Sequence, residues 1–247
     1  MSKSKTSLPV FKYHKSIKRA LVVVAHPDDI DFGSAGTVAT LTRHGVDVAY
    51  CLVTSGDAGG DDSSHTKEER VAIREAEQTA AAAEVGVTSL TFLHWPDGKV
   101  EPTLLLRREI ARVIRTHKPD LVITQSPERN WDRIFSSHPD HLATGEATMR
   151  AVYPDARNPH ALPELLREGF QPHTVWAVWI STAQPTMVVD ITKVFKRKYA
   201  ALARHNSQVA HRHDLKPMLK AWARKTAKDA GLGKGRLAEG FKVVSTS

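Results

Sequence analysis

LVVVAHPDDID (residues 21–31) decides how the rest of the chain is read. LVVV (21–24) is a short apolar run dominated by β-branched residues, the pattern of a buried strand. It ends abruptly at AHPDDID (25–31), where imidazole and carboxylate groups crowd into one turn. In an open parallel sheet, ligands collect outside the carboxyl ends of strands. His26, Asp28 and Asp29 fall at such an end.

Working outward, strands alternate with helices. A helix is predicted over 33–44 and stopped by Gly45. VDVAYCLVT (46–54) reads as a second strand, and SGDAGGDDSSH (55–65) as a loop built of turn formers. An alanine-rich helix follows over 66–84, then a strand at SLTFL (89–93), a helix over 101–117 and a strand at DLVIT (120–124). TVWAVW (174–179) and TMVVDI (186–191) are later strands, and one long helix is predicted over 193–209. This alternation argues for βαβ units and an α/β fold with a mostly parallel sheet flanked by helices. The expected organisation is a flexible basic leader over 1–19, one domain over 20–210 and a basic C-terminal extension over 211–247. The extension is read as an amphipathic helix carrying Leu215, Leu219 and Trp222, a glycine-rich turn, and a short strand at 241–244.

Composition narrows the function. Hydrophobic residues make up 41% of the 247, enough for a sizeable core. No apolar run is long enough to span a bilayer. The basic N-terminus lacks the apolar segment of a signal peptide. Cys51 is the only cysteine and lies in an apolar run, so the expected compartment is the cytoplasm. The net charge of +8 is uneven: residues 193–247 hold 14 of the 35 Lys and Arg against only Asp214, Asp229 and Glu239. That quarter could face an anionic substrate, a second subunit in a homo-oligomer or, with Trp222 as a stacking ring, nucleic acid. It carries no zinc-finger, RRM or KH signature, which disfavours nucleic acid as the main partner.

Two motifs carry the chemistry. His26 and Asp29 are three residues apart, so one turn can aim both at a single zinc ion. Asp28 lies beside them, free to accept a proton from water. Asp31 is expected to orient a ligand imidazole from behind. The second motif, HPDH (138–141), opens a helix with Pro139 at its first position. His138 and His141 share a face, and either can complete the ligand set. A phosphoesterase could use the same residue types, although a single metal weighs against the two-metal kind.

AHPDDID and HPDH together resemble the signatures of the LmbE-like or PIG-L family of zinc-dependent de-N-acetylases. The order between them also fits: TSGDAGG (54–60), REAEQTAAAAEVG (74–86), FLHWPDG (92–98), KPDLVIT (118–124) and VDITKVFKRKYAALARHNSQ (189–208). The resemblance covers about 20–210. It implies a Rossmann-like fold and hydrolysis of an N-acyl group from an amino-sugar conjugate such as one of N-acetylglucosamine. It implies one Zn2+ held by His26, Asp29 and His141, Asp28 as general base, and a protonated His138 facing the tetrahedral intermediate. It suggests substrate contacts from Arg74. Asp57, Asp97 and His205 are further candidates for substrate binding, from their places in loops or at a helix end. Family members often carry two glycines in the DFGSAGT region. Here the first is Ala35, and only Gly36 remains.

Overall fold

The computed structural model describes residues 7–60, 64–134 and 137–246. Five parallel strands come first: β1 (Arg19–Val24), β2 (Asp47–Thr54), β3 (Ser89–Trp95), β4 (Leu121–Gln125) and β5 (Ala177–Ser181). With β6 (Met187–Asp190) and β7 (Ala238–Ser245) they form one sheet in the order β3-β2-β1-β4-β5-β7-β6. The chain moves from β1 outward to β3, then returns to place β4 on the other side of β1. The sheet therefore has its switch point between β1 and β4, where a crevice opens at the strands' carboxyl ends.

Alternation along β1 divides the core. Val22 and Val24 face one layer, with Val38, Leu41, Ala81 and Phe195. Leu21 and Val23 face the other, with Leu106, Ile110, Ala143 and Ala147. The first layer belongs to helices α1 (Asp29–Gly33), α2 (Ala35–Arg43), α3 (Lys67–Glu84) and α7 (Phe195–Leu202); the second belongs to α4 (Leu104–His117) and α5 (Pro139–Arg150). A short α6 (Pro163–Arg167) lies within the segment preceding β5.

Three expectations need correction. The helix predicted over 33–44 is α2, which begins only at Ala35 after Ser34 at φ −129°, while a separate short helix, α1, occupies part of the segment read as a turn. The helix predicted over 193–209 is divided, into α7 and a short α8 (Asn206–Val209), with His205 between them at ψ 59°. The segment 211–247 is no appendage: after α9 (Leu215–Asp229), β7 enters the sheet antiparallel between β5 and β6. Phe241 is fully buried there. Apolar alternation marked a strand in this segment, but pairing partners are a tertiary property that no local pattern encodes.

The N-terminal segment is likewise tied down from residue 7 onward. Phe11 N donates to Val188 O at 2.7 Å, and the Phe11 ring packs edge-on against Trp179. Residues 1–6 of the expected leader lie outside the described residues. Among the described residues, no helix is long and apolar enough to cross a membrane.

Gly36 has a packing reason. A Cβ there would lie 2.8 Å from Ile191 Cγ2 and 2.9 Å from Glu239 Oε1. Its amide N donates to that same Glu239 oxygen at 3.0 Å. Ala35 is buried in the core without any such requirement.

Candidate active site

The turn after β1 is built for direction rather than comfort. Asp28 has φ 91°, a left-handed conformation that aspartate tolerates better than most residues. Gln78 Oε1 accepts from Asp28 N at 2.9 Å and holds the turn. Gln78 and Arg74 sit one turn apart on α3. That helix starts at Thr66, where Thr66 and Glu69 form a reciprocal capping pair. At β4, Pro139 opens α5 with His138 at the cap, so His138 and His141 arrive from the other side of the switch point.

Three donors meet in the crevice. His26 Nδ1 is 3.2 Å from His141 Nε2 and 3.3 Å from Asp29 Oδ2, and His141 Nε2 is 3.0 Å from Asp29 Oδ1. Tetrahedral zinc with bonds near 2.0 Å separates its ligands by about 3.3 Å. The separation of the two imidazole nitrogens has that size, and Asp29 turns one carboxylate oxygen to each ring, so these residues fit a zinc-type ion. His26, His138 and His141 also bring one nitrogen each within 4.8 Å of one another, a second donor set at the same place.

The other nitrogen of His26 is equally committed. His26 Nε2 lies 3.0 Å from Asp97 Oδ1 and 3.2 Å from Asp140 Oδ2. Burial opposes a charge on His26, but its bonds to Asp140, Asp29 and Asp97 push the imidazole up to about 12. Asp140 is fully buried and accepts from Gly98 N at 2.7 Å and Val100 N at 3.2 Å. Burial alone would raise its carboxyl, yet His26 and these amides hold it below the usual range. Around Asp28, burial and then the charge of Asp29 push the carboxyl up to about 7, against the pull of Arg74. A carboxylate near neutrality suits proton transfer.

His26, Asp28, Asp29, His138 and His141 all line one cavity of about 850 Å³, and Asp97 joins them. The remaining sequence candidates behave differently. Arg74 is buried and bound to protein: it donates to Pro27 O at 2.7 Å, Gly56 O at 3.0 Å and Asp28 Oδ2 at 3.2 Å. It lines the cavity and clamps Asp28 from there. Asp57 is absorbed by Asp97 N at 3.0 Å and Lys67 Nζ at 2.9 Å, and lies off the cavity. His205 is fully buried behind the site and bonds Asp31 at 2.8 Å, so it does not meet substrate. Asp31 accordingly orients His205 and accepts from Gln78 at 3.0 Å, while Asp97 and Asp140 orient the imidazole of His26.

His138 lines the cavity beside the triangle, with its Nδ1 accepting from Asp140 N at 3.2 Å. Burial and the neighbouring His26 lower its pKa.

Asp140 and Gln78 were absent from the sequence candidates. Asp140 had a signal, since it is the acid inside HPDH. Gln78 had only its spacing of four from Arg74.

A doubly wound α/β fold with a His–Asp–His cluster at its switch point is a setting in which a metal ion and a small-molecule substrate can be held together. Residues 21–152 match the model described as PIG-L, GlcNAc-PI de-N-acetylase, and the chain belongs to this family. It is 32% identical to diacetylchitobiose deacetylase of Thermococcus kodakarensis, over 98% of this chain and 88% of that protein. It is 30% identical to a probable N-acetyl-alpha-D-glucosaminyl L-malate deacetylase 2 of Bacillus anthracis, over 79% of this chain and 84% of the other. Among solved structures, N,N'-diacetylchitobiose deacetylase from Pyrococcus horikoshii superimposes with a TM-score of 0.84 at 29% identity, covering 94% of this chain and 85% of that one.

Proposed function

We propose that this protein is a zinc-dependent de-N-acetylase acting on a small molecule that contains N-acetylglucosamine. The observation that carries the reading is the triangle of His26, Asp29 and His141 with Asp28 beside it. Its support in kinship is that relatives over most of the chain are deacetylases of such molecules.

His26, Asp29 and His141 would hold the ion, with His26 braced by Asp97 and Asp140. Zinc bound there supplies Lewis acidity, polarising the amide carbonyl and acidifying the attacking water. Asp28 removes the proton from that water as its oxygen adds to the carbonyl carbon. The negative charge then grows on the carbonyl oxygen. His138 is the donor available to that oxygen, and such aimed donors usually supply a large part of catalysis. Asp28 passes its proton to the amine nitrogen as the carbon–nitrogen bond breaks. Acetate and a free amino sugar result. Arg74 keeps the Asp28 carboxylate aimed through the cycle.

The test is acetate release from N,N'-diacetylchitobiose, N-acetylglucosaminyl-malate and N-acetylglucosaminyl-inositol, with metal stripped by chelator and then restored. Release that stops on stripping and returns with zinc is the expected result. No metal-dependent release from any of the three, alongside hydrolysis of a phosphate ester, would replace the reading with a phosphoesterase.

A further inference from the structure

Asp28 is held in a backbone conformation that few residues with a side chain adopt. Its φ of 91° carries a steric cost and persists only where the surroundings over-determine it. Part of the restraint is local: Asp28 O accepts from Asp31 N at 2.9 Å and from Phe32 N at 3.0 Å. The amide N of Asp28 is held from further away in the chain, by Gln78 Oε1 of α3 at 2.9 Å.

Which end of the Gln78 amide faces Asp28 is decided behind it. Gln78 Nε2 donates to Asp31 Oδ2 at 3.0 Å. His205 Nε2 lies 2.8 Å from that same oxygen, and a carboxylate only accepts, so the imidazole donates. The polarity therefore runs one way. Asp31 takes hydrogen bonds from His205 and Gln78, which leaves the carbonyl end of Gln78 for the Asp28 amide. A Gln78 amide turned over would set two N–H groups against each other. Asp31 Oδ1 has no hydrogen-bond partner among the described residues, so both of these bonds fall on Oδ2. Asp31, Gln78 and His205 are each 0% exposed, and none of them lines the cavity. At such a depth solvent does not replace a lost donor.

We propose that Gln78, Asp31 and His205 are positioning residues for Asp28, a buried relay that keeps its carboxylate directed at the attacking water. His205 is the outermost member and comes from the break between α7 and α8, beyond the residues 21–152 that match the family model. This role rests on the deacetylase reading, with Asp28 as the base.

A double-mutant cycle tests the relay. His205→Leu removes the donor at similar volume, and His205→Gln restores an N–H at similar reach. His205→Leu should lower kcat about tenfold, the cost of a slightly misaimed catalytic group, with KM within about twofold. Zinc content should stay at that of the unmodified protein, and His205→Gln should recover most of the rate. In Asp28→Asn protein the same His205→Leu change should lower the residual rate by less than about twofold, because the group it positions is already gone. Gln78→Met keeps the side-chain length and loses both bonds. It should behave as His205→Leu does, and it replaces that variant in the cycle if His205→Leu does not fold. Equal losses with and without the Asp28 carboxylate, no loss in either background, or a rate that falls in step with zinc content overturns the relay while acetate release by the unmodified enzyme upholds the deacetylase reading. No acetate from the unmodified enzyme overturns that reading, and full turnover by zinc-loaded Asp28→Asn overturns the base; the relay falls with either.

Discussion

Asp140 faces His26 at 3.2 Å, across the ring nitrogen that points away from His141. A carboxylate in this position fixes the ring's tautomer and strengthens the other nitrogen as a ligand. Asp140→Asn preserves the volume and removes the charge. Zinc affinity should fall by about 10–100-fold in a chelator competition. Unchanged affinity would show that Asp97 alone orients the imidazole.

Asp28 is assigned proton transfer, not metal retention. Asp28→Asn should therefore lower kcat by about 10²–10⁴-fold while leaving the zinc content at that of the unmodified protein. Elemental analysis beside steady-state kinetics reads both quantities. Near-normal turnover with full zinc would remove Asp28 as the base.

Arg74 acts on the reaction through Asp28. Arg74→Lys cannot reproduce a planar fork that reaches Pro27, Gly56 and Asp28 at once. The expected result is a kcat lower by roughly 10–100-fold with KM little changed, since misaiming a catalytic group costs rate. A rise in KM alone would return Arg74 to the role of substrate contact.

Lys198 and Glu239 form a buried pair at 2.7 Å, and Glu239 also accepts from the amides of Gly36 and Thr37. Lys198→Met strands that carboxylate in the core. It should cost about 3–5 kcal/mol in urea unfolding, the penalty of an unpaired buried charge. Adding Glu239→Gln should recover part of the loss. An additive double mutant would mean that the two residues do not stabilise each other.

Cys51 lies within β2 in the apolar core. Burial pushes its thiol up to about 12, so almost no thiolate exists between pH 6 and 9. Native protein should leave Ellman's reagent unreacted across that range and release one thiol per chain on denaturation. Fast labelling of the folded protein would contradict the burial.

The parallel sheet and the two ligand-bearing turns were legible because each has a local cause. LVVV reports burial, Pro139 reports a helix start, and the three-residue spacings report a shared direction. Asp31 and His205 show where local reading stops. Both carry the right chemistry near the right motifs, yet they face each other behind the crevice, because the break between α7 and α8 turns His205 inward. Arg74 was legible as a site residue, but its partners were not. Whether its guanidinium meets solvent or three protein acceptors depends on how α3 docks against two turns far away in sequence. Trp222 drew notice only as a ring in a basic segment. Its place on the cavity wall follows from the path of a strand that comes after it.

That path has a consequence for how the chain is made. β5 and β6 are separated in the sheet by β7, which follows both in the chain. Strands β1 to β5 can pair in turn as they leave the ribosome, but the free edge of β5 stays uncovered until residues 238–245 emerge. An open edge is a template for pairing with other chains. The edge of β5 is thus where misassembly can start until residues 238–245 have emerged.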